Sequence, residues 1–150
     1  MFRICKRFTV ESGHMLSKHP ERCRYPHGHT RTIEVVVAGD SLDEQGMLLD
    51  FKALKLGVQA FVDRYDHAMA VNSSDPLLPQ LRQMYPPDAV VVFADREPTT
   101  EAMAEEVFRF VEGLLSRGFA EGPYRIEAGR VQVERVRVWE TPDCWAEFGR

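Results

Sequence analysis

The chain has 150 residues, 44% of them hydrophobic, and a formal net charge of −4 at pH 7. These values predict one soluble globular domain that spans residues 1–150 around a single core. The acidic charge without a basic stripe excludes an electrostatic nucleic-acid binder, and no apolar run approaches the ~20 residues that cross a bilayer. Cys5, Cys23 and Cys144 cannot all pair with one another. We therefore expect free thiols and a cytoplasmic location.

Two strands are predicted near the start of the chain. Apolar and polar residues alternate from Phe2 to Ser12, and the same period of two recurs from Thr30 to Ala38. The loop between these strands carries several cations, which fit either an anionic substrate or an ordinary solvated loop.

The two predicted strands bring three histidines together. His27 and His29 are two residues apart at the start of the second strand, so we expect their imidazoles on one face. His14 keeps the parity of the apolar residues of the first strand, and a hairpin-like return would bring it beside them. Three histidines with an open fourth position are typical of a catalytic zinc site. Cys23 as a fourth ligand would instead close a structural site.

Two long amphipathic helices are predicted in the middle of the chain. Asp50 is the expected N-cap of the first helix, which runs to about Arg64. Thr99 is the expected N-cap of the second helix, which ends at Gly118. The segment between them is expected to hold a short helix at 77–84 and a short strand at 90–93.

The end of the chain predicts two further strands. The first runs from Arg125 to Glu140, and its apolar residues change phase, which indicates a bulge near Glu134-Arg135. The second runs from Trp145 to Phe148. The expected fold is α+β: a four-stranded antiparallel sheet with two long helices on one face and a small helix-and-strand insertion.

Several short motifs occur in an order that resembles the 6-pyruvoyltetrahydropterin synthase / 6-carboxytetrahydropterin synthase family. The motifs are His14, Cys23-x3-His27-Gly28-His29, Gly46-Met47-Leu48-Leu49-Asp50-Phe51, Asp66-His67, Pro98-Thr99-Thr100-Glu101 and Trp139-Glu140-Thr141. The resemblance implies the tunnelling fold (T-fold), in which sheets join edge to edge into trimeric rings that pair into hexamers. Closure of a ring also protects exposed edge strands.

The resemblance also implies a site and a substrate. Zinc held by His14, His27 and His29 would act on a pterin triphosphate, 7,8-dihydroneopterin triphosphate, by acidifying its side-chain hydroxyls. Cys23 in its cationic loop would be the general base, because nearby cations favour the thiolate; the alternative is a structural cysteine.

Asp66 and His67 would form a second proton-transfer pair, which completes a catalytic triad drawn from neighbouring subunits. Adjacent residues do not face each other in a regular helix, so we expect this pair at an irregular helix end. The alternative is an ordinary surface pair.

Glu140 is expected to anchor the pterin, because a carboxylate accepts two parallel hydrogen bonds from a ring N–H and an amino group. By the resemblance, Thr100 and Glu101 also line the pterin pocket. The alternative for Glu140 is a surface glutamate at a strand end. The alternative for Thr100 and Glu101 is simple capping of the helix.

The family has three reactions. The motifs do not decide between the first two, and we expect the first because it is the commoner role of short members of the family. One branch makes 6-carboxy-5,6,7,8-tetrahydropterin, with acetaldehyde and triphosphate, for queuosine-type deazapurine synthesis. A second makes 6-pyruvoyltetrahydropterin for tetrahydrobiopterin. A third cleaves dihydroneopterin side chains in folate synthesis and tends to replace the catalytic cysteine by glutamate, whereas this chain has Cys23. A structural zinc protein that merely binds a pterin or a partner is the non-enzymatic alternative.

Overall fold

The computed structural model describes residues 1–150 as eight strands and three α-helices. In chain order they are β1 (Phe2–Met15), β2 (His27–Gly39), α1 (Phe51–Val62), β3 (Met69–Asn72), α2 (Leu78–Met84), β4 (Val90–Phe93), α3 (Thr100–Arg117), β5 (Phe119–Glu121), β6 (Tyr124–Ile126), β7 (Gln132–Thr141) and β8 (Cys144–Gly149). No helix is both long enough and apolar enough to cross a membrane.

The main sheet has six strands in the order β4-β3-β1-β2-β7-β8. The four antiparallel strands β1, β2, β7 and β8 are those that the sequence predicts. β3 and β4 extend this antiparallel sheet to six strands, in parallel from the edge of β1, and β4 is the short strand expected at 90–93. β3 has only four residues and three of them are buried, so it lacks the alternation that marks a half-exposed strand.

The predicted strand from Arg125 to Glu140 is divided into two elements. Its first residues lie in β6, which pairs with β5 in a separate two-stranded sheet against α1. A turn then intervenes, with Gly129 at a φ of 72°, a conformation that favours glycine. β7 begins only at Gln132.

The predicted bulge in β7 is confirmed. Val36 pairs with Arg135 while Val37 pairs with Val133, so Glu134 is the extra residue. A second irregularity lies at Glu140, since Trp139 pairs with Trp145 and Thr141 with Cys144.

Both long helices begin as expected. The Asp50 side chain accepts a hydrogen bond of 2.7 Å from the backbone N–H of Lys52 and caps α1. The Thr99 hydroxyl accepts one of 3.2 Å from the N–H of Ala102 and caps α3. Both helices pack their apolar residues against one face of the sheet, and these residues form the core together with the apolar residues of that face.

The helix-covered face of the sheet changes from apolar to polar along the strands. In the pairing of β1 with β2, Phe8 lies opposite Ile33 and both are buried in the core. The next pairs toward the start of β2 are Val10 with Arg31, Ser12 with His29 and His14 with His27. All have the parity of the core residues. A polar site is therefore built on the same rigid face as the core.

Candidate metal centre and its carboxylate

Three histidines converge at the polar end of the β1–β2 hairpin. One ring nitrogen from each of His14, His27 and His29 lies within 4.8 Å of the others. The Nε2 atoms of His14 and His29 are 3.2 Å apart. The convergence expected from strand parity is thus present in the folded chain.

Backbone carbonyls orient two of the three imidazoles. The carbonyl oxygen of Pro98 lies 2.9 Å from Nδ1 of His14, and that of Tyr25 lies 2.7 Å from Nδ1 of His27. A carbonyl oxygen can only accept, so each Nδ1 carries the hydrogen and each Nε2 keeps its lone pair. This second hydrogen bond is the usual support of a metal-binding histidine.

Burial favours the neutral imidazole at His14 and at His29. His14 is 1% exposed, and burial, opposed by the Pro98 hydrogen bond and reinforced by the nearby Arg31 charge, lowers its pKa from 6.5 to about 4. Burial likewise lowers the pKa of His29, against the opposing effect of Glu140. A neutral imidazole is the form that binds a metal ion.

The donor set fits a divalent metal ion of zinc's size and preference. Two nitrogens at ~2.0–2.1 Å from a tetrahedral zinc lie roughly 3.3 Å from each other, close to the 3.2 Å between the Nε2 atoms of His14 and His29. Three imidazoles leave one coordination position free for a ligand. Cys23 is not a member of the histidine cluster.

Sequence reasoning missed Arg31, whose side chain is 0% exposed beside the histidines. Its Nε donates to the Ser12 hydroxyl at 2.9 Å and its Nη1 to the Thr100 hydroxyl at 2.8 Å. Its Nη2 lies 3.2 Å from Nδ1 of His14. The signal was available, because Arg31 has the same strand parity as His27 and His29.

Glu140 and Thr100 lie together at the edge of the histidine cluster. The Thr100 hydroxyl is hydrogen-bonded to Oε2 of Glu140, and Oε1 lies 3.4 Å from Nε2 of His29. Burial raises the pKa of Glu140, but the Thr100 hydrogen bond and the positive charge of Arg31 outweigh it, so the net pKa is lowered. The carboxylate is therefore ionised at neutral pH. Glu101, in contrast, is exposed in the first turn of α3.

Asp66 and His67 form a pair at an irregular helix end, as expected. They follow a 3-10 turn at Asp63–Tyr65, and His67 has a φ of 55°, which is uncommon outside glycine. Nδ1 of His67 lies 2.9 Å from Oδ2 of Asp66, whose other oxygen accepts from the N–H of Glu11 at 2.8 Å. The Glu11 and His67 hydrogen bonds lower the pKa of Asp66. The imidazole itself is 80% exposed.

Cys23 lies in a 3-10 turn at Arg22–Arg24 between β1 and β2. Its thiol is free and half-buried. Its carbonyl accepts a hydrogen bond of 2.9 Å from the N–H of Leu16, which fixes the start of the loop.

Comparison with known proteins decides the family. Residues 3–150 match the sequence profile described as "6-pyruvoyl tetrahydropterin synthase". The chain belongs to this family. The resemblance drawn from the motifs is confirmed, and so is the prediction of an enzyme, since the curated relatives are named as synthases.

Curated relatives from several organisms match most or nearly all of the chain. A 6-carboxy-5,6,7,8-tetrahydropterin synthase from Aquifex aeolicus is 27% identical, over 98% of this chain and 97% of its own. The enzyme of the same name from Haemophilus influenzae is 28% identical over 99% of both chains. A probable 6-carboxy-5,6,7,8-tetrahydropterin synthase from Halobacterium salinarum is 37% identical over 71% of this chain and 67% of its own.

Solved structures confirm the T-fold class. An uncharacterized protein from Wolinella succinogenes superimposes with a TM-score of 0.78 at 21% identity, over 99% of this chain and 98% of its own. The 6-pyruvoyl tetrahydropterin synthase from Plasmodium vivax has a TM-score of 0.70 at 15% identity, over 100% of this chain and 99% of its own.

Proposed function

We propose that the protein is a zinc-dependent lyase that converts 7,8-dihydroneopterin triphosphate to 6-carboxy-5,6,7,8-tetrahydropterin and releases acetaldehyde and triphosphate. The observation that carries this proposal is the convergence of His14, His27 and His29 beside an ionised Glu140. The names of the curated relatives favour the carboxy product over the pyruvoyl product. The proposed context is queuosine-type deazapurine synthesis in the cytoplasm.

In this proposal the three histidines hold the metal and leave one position for substrate. The carbonyls of Pro98 and Tyr25 engage Nδ1 of His14 and His27, so Nε2 of each ring would be free to hold the metal. A zinc ion held there would supply Lewis acidity, which lowers the pKa of a hydroxyl that it coordinates. The fit of the donor spacing to a tetrahedral ion supports zinc.

Glu140 is proposed to hold the pterin ring. Its carboxylate is 31% exposed, so part of it can reach a ligand, and both oxygens can accept hydrogen bonds from the ring N–H and the amino group. Thr100 supports this carboxylate directly. The assignment of Glu101 to the proposed pocket has less support than that of Glu140. Glu101 is exposed, and only its position in the first turn of α3 supports the assignment.

Proton transfer is assigned to Cys23 and to the Asp66–His67 pair. Cys23 would accept a proton from the substrate side chain as general base. Asp66 holds Nδ1 of His67 at 2.9 Å, which leaves Nε2 of that exposed ring free to exchange a proton. The proposal includes a homo-oligomer, a hexamer of paired trimers, in which neighbouring subunits complete the triad.

Product analysis tests the function. Zinc-loaded protein is incubated with 7,8-dihydroneopterin triphosphate, and acetaldehyde and triphosphate are assayed, with Cys23→Ala as the comparison. Acetaldehyde from the wild type alone is the expected result. Triphosphate without acetaldehyde would assign the pyruvoyl branch instead, and no turnover would reject both of these reactions.

Glu140→Ala tests the anchor separately from the metal. We expect weaker binding of the pterin, because its hydrogen-bond acceptor is lost, with zinc content unchanged by metal analysis. Glu121→Ala is the matched control, since Glu121 is exposed in β5. Retained pterin affinity in Glu140→Ala would contradict the assignment.

A further inference from the structure

Arg31 is the largest fully buried side chain of the protein. Burying a guanidinium costs several kcal/mol unless hydrogen bonds and an opposite charge compensate it. Arg31 has both, because it donates to Ser12 and Thr100 and its Nη1 lies 3.7 Å from Oε2 of Glu140. Continuing the register in which Thr32 pairs with Trp139 places Arg31 directly opposite Glu140.

The chemistry of Arg31 fixes the direction of the hydrogen bonds that lead to Glu140. A guanidinium can only donate, so the Thr100 hydroxyl must accept the bond of 2.8 Å from Nη1. That hydroxyl has a single hydrogen, which is then left for its other partner, Oε2 of Glu140. Oε2 accepts this hydrogen, and the Arg31 guanidinium 3.7 Å away favours the charged carboxylate over a protonated one.

This direction determines what the pocket can bind. With Oε2 engaged by Thr100 and facing the guanidinium of Arg31, the accessible lone pairs of the Glu140 carboxylate accept hydrogen bonds. A ligand edge that presents N–H donors is therefore satisfied, whereas an edge that presents an oxygen in their place meets a negative charge.

We propose that Arg31 is a positioning residue that acts through Thr100 to hold Glu140 as a pure acceptor, and thereby selects ligands with a 2-amino group over their 2-oxo analogues. This inference rests on the proposed function for the pterin ligand. It assigns the selectivity to a buried residue that does not itself touch the ligand.

The test compares two probes that differ in the substituent at position 2. 7,8-Dihydroneopterin carries an amino group there, and its deaminated 2-oxo analogue carries an oxygen. Dissociation constants of both are measured for the zinc-loaded wild type, Arg31→Met and Thr100→Val, with zinc content as a check of each preparation. Thr100→Val keeps the shape of the side chain and decides the question if Arg31→Met does not fold.

The wild type is expected to bind the amino compound at least about tenfold more tightly, the value of one hydrogen bond to a charged group. Both variants should lose most of this preference while they retain zinc. In the Glu140→Ala background Arg31→Met should have no further effect on affinity, because the acceptor that it orients is absent.

Three results would overturn the inference: an unchanged preference in both variants, an equal loss of both ligands, or an effect of Arg31→Met that persists without Glu140. A wild type that shows the preference but produces no acetaldehyde would reject the proposed reaction and leave the role of Arg31 supported. A wild type that binds neither probe would reject both.

Discussion

Acidification of the metal-free protein should destabilise it through His14. The folded state holds this imidazole neutral, with its pKa lowered from 6.5 to about 4 mainly by burial. Between these two pH values the unfolded chain binds a proton at His14 that the folded chain does not. The free energy of unfolding therefore rises with pH in this window and falls as the solution is acidified.

The size of the effect follows from the difference between the two pKa values. At ~1.4 kcal/mol per pH unit, a decrease from 6.5 to about 4 corresponds to about 3 kcal/mol of stability. This contribution is fully present above pH 6.5 and is lost progressively as the pH falls to 4. It is a large part of the stability of a domain of this size, which is of the order of 10 kcal/mol.

Urea unfolding at several pH values between 7.5 and 4, with chelator present, measures this dependence. His14→Gln is the control, because it keeps a donor near the Pro98 carbonyl and does not titrate. Other groups, including Glu140, contribute to the pH dependence of both proteins, so the difference between the two slopes isolates His14. Parallel pH profiles for the wild type and His14→Gln would refute the argument.

Three further changes have calculable effects. Leu54→Ala leaves a cavity at a fully buried position in α1 and should lower the free energy of unfolding in urea by about 3 kcal/mol. An unchanged urea midpoint would contradict the packing described. Thr99→Ala removes the cap of α3 and should cost about 1 kcal/mol, whereas Thr99→Ser should restore it. Addition of zinc at 100 times its dissociation constant should stabilise the metal-free protein by about 2.7 kcal/mol. The melting temperature should rise accordingly in the wild type and stay unchanged in His27→Ala.

The histidine cluster was predictable because strand parity is a local property. His14, His27 and His29 share one face once the two strands pair, and the pairing of His14 with His27 is the one that the hairpin requires. Arg31 was equally visible by parity, but arginine is almost never fully buried without a partner. Its partners Thr100 and Glu140 are distant in the sequence, so their proximity follows only from the tertiary fold.

The edge of the sheet was less predictable than its centre. β3 is buried on both sides and pairs in parallel, so neither alternation nor a hairpin turn identified it. The caps at Asp50 and Thr99 were correct because capping depends on one side chain and the N–H groups of the next residues. The position of Cys23 relative to Asp66 and His67 depends on loop geometry, which composition does not specify.

The extra residue at Glu134 has a consequence for how this protein can change in length. Valines 131 and 133 and valines 136 and 138 all reach the core only because the extra residue resets the alternation of β7 between them. Deleting Glu134 would leave Arg135 alone between Val133 and Val136, so both pairs would stay inward, whereas deleting Arg137, beyond the extra residue, would turn Val138 outward together with Glu140. A change in length is therefore tolerable at the extra residue of β7, but a shift of one residue between it and Glu140 would exchange the pocket carboxylate for its neighbour.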